Sequence, residues 1–150
     1  MLGVNAVCYA LMGAAAAVDA RERVFPNALA AAFTLSCALA ALGAGGAELL
    51  RVRALGALAC CGALLAFELA WRRAHGGAAG LGMGDLKYLF GALLLDPAGA
   101  LASFAVGLVA LAVAGLAVRR ASLPLLPFVV GAQAALIILS GVGSAGAVGF

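Results

Sequence analysis

The sequence predicts an all-α membrane protein with about six transmembrane helices packed in one bundle. Of its 150 residues, 67% are hydrophobic and only 10% are charged, whereas a soluble domain averages about 45–50% apolar and roughly 25% charged residues. A chain of this length cannot bury so much apolar surface in one core, because small domains leave much of their surface exposed. Lipid is therefore the expected solvent, which excludes a soluble enzyme, a disordered chain and a secreted disulfide scaffold.

Each predicted span is an apolar stretch bounded by charges, prolines or glycine-rich segments, and about 20 such residues cross the hydrocarbon core of a bilayer. In chain order the spans are Leu2–Val18, Ala28–Ala47, Val52–Trp71, Ala78–Leu95, Ala98–Val118 and Leu123–Leu139. Alanine and glycine dominate them, as in bundles whose helix backbones approach closely. No charged residue precedes the first span, so it is expected to be a transmembrane helix and not a cleaved signal peptide. Without an internal repeat or a soluble segment, residues 1–150 are predicted to form a single domain.

Arginines predict the orientation of the six spans. The loops on one side hold six arginines and those on the other hold two, Arg51 and Arg53. By the positive-inside rule the first side is cytoplasmic, so both termini are extracytoplasmic and the protein is a multi-pass protein of the inner (plasma) membrane. The six arginines are Arg21, Arg23, Arg72, Arg73, Arg119 and Arg120.

Charge and cysteine content limit the partners. The net charge of +3 is too small and too scattered for a nucleic-acid site, and the basic loops are expected to contact anionic lipid headgroups. The four cysteines lie in apolar runs without Cys-x-x-Cys spacing or a neighbouring histidine, which favours small buried hydrophobes over a zinc site or disulfides. We therefore expect no metal and no cofactor. The cysteines are Cys8, Cys37, Cys60 and Cys61.

Two polar segments interrupt the apolar sequence, 19–27 and 80–87, and both fall on the predicted cytoplasmic side. Asp19 and Asp85 can therefore face each other. The 11 residues from Asp85 to Leu95 give about 16 Å of helix, too short for about 30 Å of hydrocarbon. The preceding glycine-rich stretch is thus expected to lie below the headgroups, with Asp85 up to roughly 10 Å deep. An ionisable group at that depth indicates a functional site.

Two neighbouring carboxylates in surroundings of low dielectric constant share a proton, because it is unfavourable for both to be ionised at the same time. One then deprotonates water, and the other protonates a scissile carbonyl or a leaving amine. The competing interpretations are local. Asp19 can be an interfacial acid paired with Arg21 or Arg23, and Asp85 can simply cap the following helix.

Five further residues are predicted to shape this site, each with a structural alternative. Gly82 and Gly84 either permit close helix packing or, as we favour, form extended backbone where a substrate approaches. Lys87 lies two residues after Asp85, so on a helix it is expected to point elsewhere and extend toward the headgroups. Pro26 is expected in the first turn of the second span. Asn27 either hydrogen-bonds locally or orients the aspartates.

Two polar residues within the spans have simpler interpretations. Glu68 lies four residues before Arg72, which favours a pair within one helix over a role as a third acid. Gln133 is expected to make an interhelical hydrogen bond.

The order of the motifs resembles that of the type IV prepilin peptidases, which are intramembrane aspartyl proteases of the Gly-x-Gly-Asp class. The resemblance runs through Asp19 with its basic stretch and Pro26-Asn27, then Gly82-Met-Gly-Asp-Leu-Lys87 leading to Gly91-Ala92, and finally Leu123-Pro-Leu-Leu-Pro127. It implies that Asp19 and Asp85 are catalytic. It also implies cleavage of the basic leader of a prepilin or pseudopilin at the cytoplasmic membrane face, commonly just after a glycine.

The chain departs from the longer members of that family. Those members carry an N-terminal insert with paired Cys-x-x-Cys motifs and also methylate the new N-terminus, whereas this sequence begins directly with its first span. It therefore resembles the short, peptidase-only form of tight-adherence (Flp-type) pilus systems, with no methyltransferase domain, and Phe25 stands where isoleucine is usual. An archaeal preflagellin or prepilin peptidase and a homo-oligomeric state stay open.

Two other function classes compete with the peptidase. One is a small proton-coupled transporter that uses the two aspartates as a relay, which inverted repeats would favour, and the sequence has none. The other is a non-catalytic subunit of a pilus or secretion complex, which the intact aspartate motifs disfavour.

Overall fold

The structure, a computed structural model, describes residues 2–22, 25–76, 82–118 and 124–146. These residues form five helices and no strand, which confirms the predicted helical class. The helices are α1 (Leu2–Glu22), α2 (Asn27–Ala74), α3 (Met83–Leu95), α4 (Pro97–Val118) and α5 (Leu126–Gly146). Three of them, α1, α2 and α4, are long and apolar enough to cross a membrane. The count of six spans and the location of the termini stay predictions.

Helix α2 contains a break that turns it into a hairpin. A straight helix of its 48 residues would be about 72 Å long, more than twice the thickness of the hydrocarbon core. Gly45 and Gly46 have non-helical backbone angles, and the φ of Gly46 is 68°, a value that glycine adopts easily because it lacks a Cβ. We call residues 27–44 the first arm and residues 47–74 the second arm. The second arm covers the predicted span Val52–Trp71, and the first arm covers the predicted span Ala28–Ala47 except for its last three residues, which lie at or just after the break.

The second arm runs antiparallel to α3. Arg53 donates to the carbonyl oxygens of Leu94, at 3.1 Å, and of Leu95, at the end of α3. Near the start of α3, Cys61 lies 3.8 Å from the carbonyl oxygen of Leu86. Arg53 was expected in a loop, but it lies within α2. It donates to the last carbonyl groups of α3, where the negative end of the helix dipole favours a cation.

The first arm runs parallel to α3, so the two arms of α2 are antiparallel to each other. Its first residue, Asn27, contacts Lys87 near the start of α3. One and a half turns later, Phe33 stacks on Tyr88 with ring centroids 5.3 Å apart. Both aromatic rings are fully buried and form part of the core.

Helices α4 and α5 pack closely through small side chains. A Cβ on Gly107 would lie 2.9 Å from the backbone of Val129, so the two helices approach at this glycine. Ser103 donates a hydrogen bond of 2.7 Å to Oε1 of Gln133, which confirms the predicted interhelical bond. Helix α5 in turn packs against α1, so the five helices form one bundle.

Other local predictions have mixed outcomes. Glu68 is buried and lies 2.7 Å from Arg72, which confirms the pair within one helix. Cys8 and Cys37 are buried as predicted, but Cys60 and Cys61 are only half-buried along the second arm. Several residues used in the sequence predictions lie outside the described residues: Met1, Arg23, Ala78, Gly80, Arg119, Arg120, Leu123 and Phe150.

Candidate active site

A pocket of about 410 Å³ lies where α1 ends and where α2 and α3 begin. It contains both aspartates and all five residues predicted to shape the site, together with Phe25 and Met83. Three separate chain segments therefore meet at one end of the bundle. The pocket is lined by Asp19, Phe25, Pro26, Asn27, Gly82, Met83, Gly84, Asp85 and Lys87.

Asp19 reaches the pocket from the last turn of α1 and is half-buried. Its Oδ2 atom accepts a hydrogen bond of 3.2 Å from the backbone N–H of Leu126, the first residue of α5. The first N–H groups of a helix have no partner within the helix, and the positive end of the helix dipole favours a carboxylate. The start of α5 therefore orients Asp19.

No motif in the sequence indicates this contact directly. Pro124 and Pro127 indicate a helix start, and a backbone N–H at a helix start needs an acceptor. However, nothing in the pattern says that the acceptor is a carboxylate on α1. The role of Leu126 was therefore missed.

Asp85 lies in the first turn of α3 and is also half-buried. Its Oδ2 atom accepts a 3.2 Å hydrogen bond from the N–H of Gly82, which is the acidic half of a capping box. The capping interpretation of Asp85 is thus correct for one contact. Because a carboxylate has about four acceptor sites, the same group can cap the helix and still face the pocket.

The two carboxylates are close enough to interact electrostatically. Each is half-buried and each accepts an N–H at the start of a helix. When two carboxylates interact and have restricted access to water, ionising both at once is disfavoured, so a state with one protonated and one ionised carboxylate becomes easier to reach. This state supplies a general base and a general acid side by side.

The two glycines keep neighbouring groups close to the start of α3. A Cβ on Gly84 would lie 3.1 Å from the Cβ of Phe25, and a Cβ on Gly82 would lie 2.9 Å from Oδ2 of Asp85. Gly82 has extended backbone, with φ −74° and ψ 143°. Gly84 is helical, so the prediction of extended backbone is wrong for it, because Asp85 caps the N–H of Gly82 and α3 already starts at Met83.

Lys87 brings a cation to the pocket. Its Nζ atom donates a 2.7 Å hydrogen bond to Oδ1 of Asn27, although the two residues are 60 positions apart in the chain. Lys87 lines the same pocket as Asp85 but is exposed and bonds to Asn27, so its predicted direction, away from Asp85 and toward the headgroups, stays a prediction. Pro26 precedes the first turn of α2 instead of lying within it, and its carbonyl accepts the N–H of Ala30 at 3.0 Å.

Among the described residues, no group of three or more histidine, cysteine, aspartate or glutamate side chains is placed to hold a metal ion. Comparison with protein-family models, curated proteins and solved structures gives no significant match. The geometry of the site is therefore the basis for assigning a function.

Proposed function

We propose that the protein is an intramembrane aspartyl endopeptidase that cleaves the leader peptide of a prepilin or pseudopilin. Asp19 and Asp85 are its catalytic residues. The observation that carries the proposal is their meeting in one pocket, although they belong to different helices and to motifs far apart in the chain. The electrostatic interaction between the two carboxylates supports the same assignment.

The proposed reaction is hydrolysis of one peptide bond. The ionised aspartate accepts a proton from a water molecule, whose oxygen attacks the carbonyl carbon of the scissile bond. The protonated aspartate gives its proton to the carbonyl oxygen, so a neutral tetrahedral diol forms. When the diol collapses, the C–N bond breaks, the nitrogen takes one proton, and the dyad returns to its single shared proton. One water is consumed, and one carboxylic acid and one amine are released.

The distribution of charges supports an active site at the cytoplasmic face of a multi-pass protein. Arg21 follows Asp19 at the end of α1, and Arg72 and Arg73 lie in the last turn of α2. Because the second arm is antiparallel to α3, the end of α2 lies at the same end of the bundle as the pocket. Arg53 lies at the opposite end of α3. This placement of arginines at the pocket end follows the positive-inside rule. The proposed topology has six membrane crossings.

The test is cleavage of a co-expressed prepilin by variants of the two aspartates. Asp19→Asn and Asp85→Asn should each lower cleavage by at least about 10³-fold, because each removes one of the two proton-transfer groups. Both variants should still insert into the membrane, since asparagine can accept the same N–H bonds. Glu22→Gln and Asp96→Asn are matched controls outside the pocket and should keep cleavage near the wild-type rate.

Two results would overturn the proposal. The first is efficient cleavage by either single asparagine variant. The second is a wild-type protein that leaves prepilin intact but dissipates a proton gradient across proteoliposomes, with the dissipation lost in Asp19→Asn; this result would establish a proton-coupled transporter instead.

A further inference from the structure

A second cavity, of about 690 Å³, opens between the two arms of α2 and α3. On α3 its lining residues are Met83, Leu86, Lys87 and Phe90, which recur at the spacing of one helix face. The two arms of α2 contribute similar faces, with Leu35 on the first and Leu58 on the second. We call this cavity the groove. Apart from Thr34 and Lys87, its lining is apolar.

The groove is continuous with the candidate active site. Met83 and Lys87 line both cavities, so one turn of α3 forms the wall between them. The ammonium group of Lys87 is held at the pocket end of the groove, because it is bonded to Asn27 at the start of α2. The groove runs along α3 from Met83 to Phe90, a distance of about 10 Å or two helical turns.

Among the residues that the structure describes, none covers the groove. Its rim is exposed, with 63% of Leu35, 60% of Leu58 and 54% of Met83 accessible. Its walls include small residues such as Ala31 and Gly62, and a Cβ on Gly62 would meet nothing within 4 Å. In lipid, helices associate through such small residues because backbones can approach there, and the hydrophobic effect gives no advantage over lipid tails.

We propose that the groove docks the apolar segment of the substrate that adjoins the scissile bond. The inference rests on the proposed function, and it adds where the substrate binds. A substrate embedded in the same bilayer has an apolar segment next to its scissile bond, so it brings that segment to the protein when the bond reaches the aspartates. About two turns of apolar helix match the length of the groove. The cation at the pocket end marks where the apolar segment gives way to the polar cleavage site.

The experiment compares two substrates in proteoliposomes. One is a full-length prepilin with its apolar segment, and the other is a soluble peptide that contains only the residues around the cleavage site. Ala31→Leu and Gly62→Leu fill the groove, and both should raise KM for the prepilin at least tenfold while cleavage of the peptide stays unchanged. Ala32→Leu is the matched control, because Ala32 is the exposed neighbour of Ala31 and does not line the groove.

Three results would overturn the docking proposal while the proposed function stands, provided that the wild type cleaves the peptide. One is unchanged KM for the prepilin in both filling variants, as expected if lipid alone occupies the groove. Another is an equal loss on both substrates, which would mean damage to the chemistry or the fold. The third is a change of oligomeric state that accompanies the loss, which would make the groove an interface between copies of the chain. A wild type that cleaves neither substrate would instead overturn the proposed function.

Discussion

Replacing Leu126 by proline removes the backbone N–H that contacts Asp19. Leu126 is the first residue of α5, a position where proline is tolerated because its missing N–H has no partner within the helix. In this protein the N–H does have a partner, since it donates to Oδ2 of Asp19 at 3.2 Å. If this bond positions the carboxylate for proton transfer, Leu126→Pro should lower kcat for prepilin cleavage and leave KM within about twofold of wild type.

The size of the effect follows from the kind of bond. A hydrogen bond to a charged group contributes a net of about 1.5–3 kcal/mol, and each 1.36 kcal/mol of activation free energy is a factor of about ten in rate. The expected loss in kcat is therefore about 10- to 150-fold. The leucine side chain is only 1% exposed, so its loss must be controlled separately. Leu126→Ala keeps the N–H, and it should lower stability by about 2–5 kcal/mol while kcat per folded molecule stays unchanged.

The assay is single-turnover cleavage of a prepilin in detergent or liposomes, normalised to the folded fraction of each variant. Asp19→Asn with Leu126→Pro should be no slower than Asp19→Asn alone, because groups that act as a unit are not additive. Equal kcat values for Leu126→Pro and Leu126→Ala would refute the positioning role. An additional loss in the double variant would also refute it, since the N–H would then act through something other than Asp19.

Three other predictions concern the site and its scaffold. Gly84→Ala should lower kcat roughly tenfold, because the new Cβ would lie 3.1 Å from the Cβ of Phe25, and moving groups of a catalytic site by a few tenths of an ångström is costly. Gly131→Ala is the control, because a Cβ at Gly131 would meet nothing within 4 Å. Cleavage rates of the two variants are compared. The pH profile of kcat should be bell-shaped, because activity requires one protonated and one ionised carboxylate. Its two apparent pKa values belong to the pair and not to either residue. Ser103→Ala should lower the free energy of unfolding by about 0.6 kcal/mol and leave cleavage unchanged, because its bond to Gln133 lies away from the pocket.

Each of these three has a contradicting result. Equal rates for Gly84→Ala and Gly131→Ala would mean that the contact with Phe25 does not affect the chemistry. A rate that rises to a plateau with pH, without an alkaline decline, would mean that no protonated carboxylate is needed. A marked loss of cleavage in Ser103→Ala would mean that the α4–α5 contact is coupled to the pocket.

Local features of the fold could be read from the sequence because helix geometry alone determines them. Glu68 and Arg72 are four residues apart, so any helix through them brings the two side chains together, and the structure contains that pair. The helical class was predicted from composition, because a chain so rich in apolar residues is expected to have lipid as its solvent, and the described residues are helical. The residues of the pocket were identified by chemical type and order, since two carboxylates among glycines stand out in an apolar chain.

Only the tertiary structure decided which groups contact these residues. Asp19 and the N–H of Leu126 are 107 positions apart, and Lys87 and Asn27 are 60 positions apart. The helices are rich in alanine and glycine and apolar all round, so no stripe of hydrophobic residues indicates which faces pack together. The turn at Gly46 depends on a backbone angle, which allows the two arms to lie side by side and creates the groove. The sequence by itself therefore determined the helical class and the chemical types of the pocket residues, whereas the packing of nearly featureless helices determined how those residues are held together.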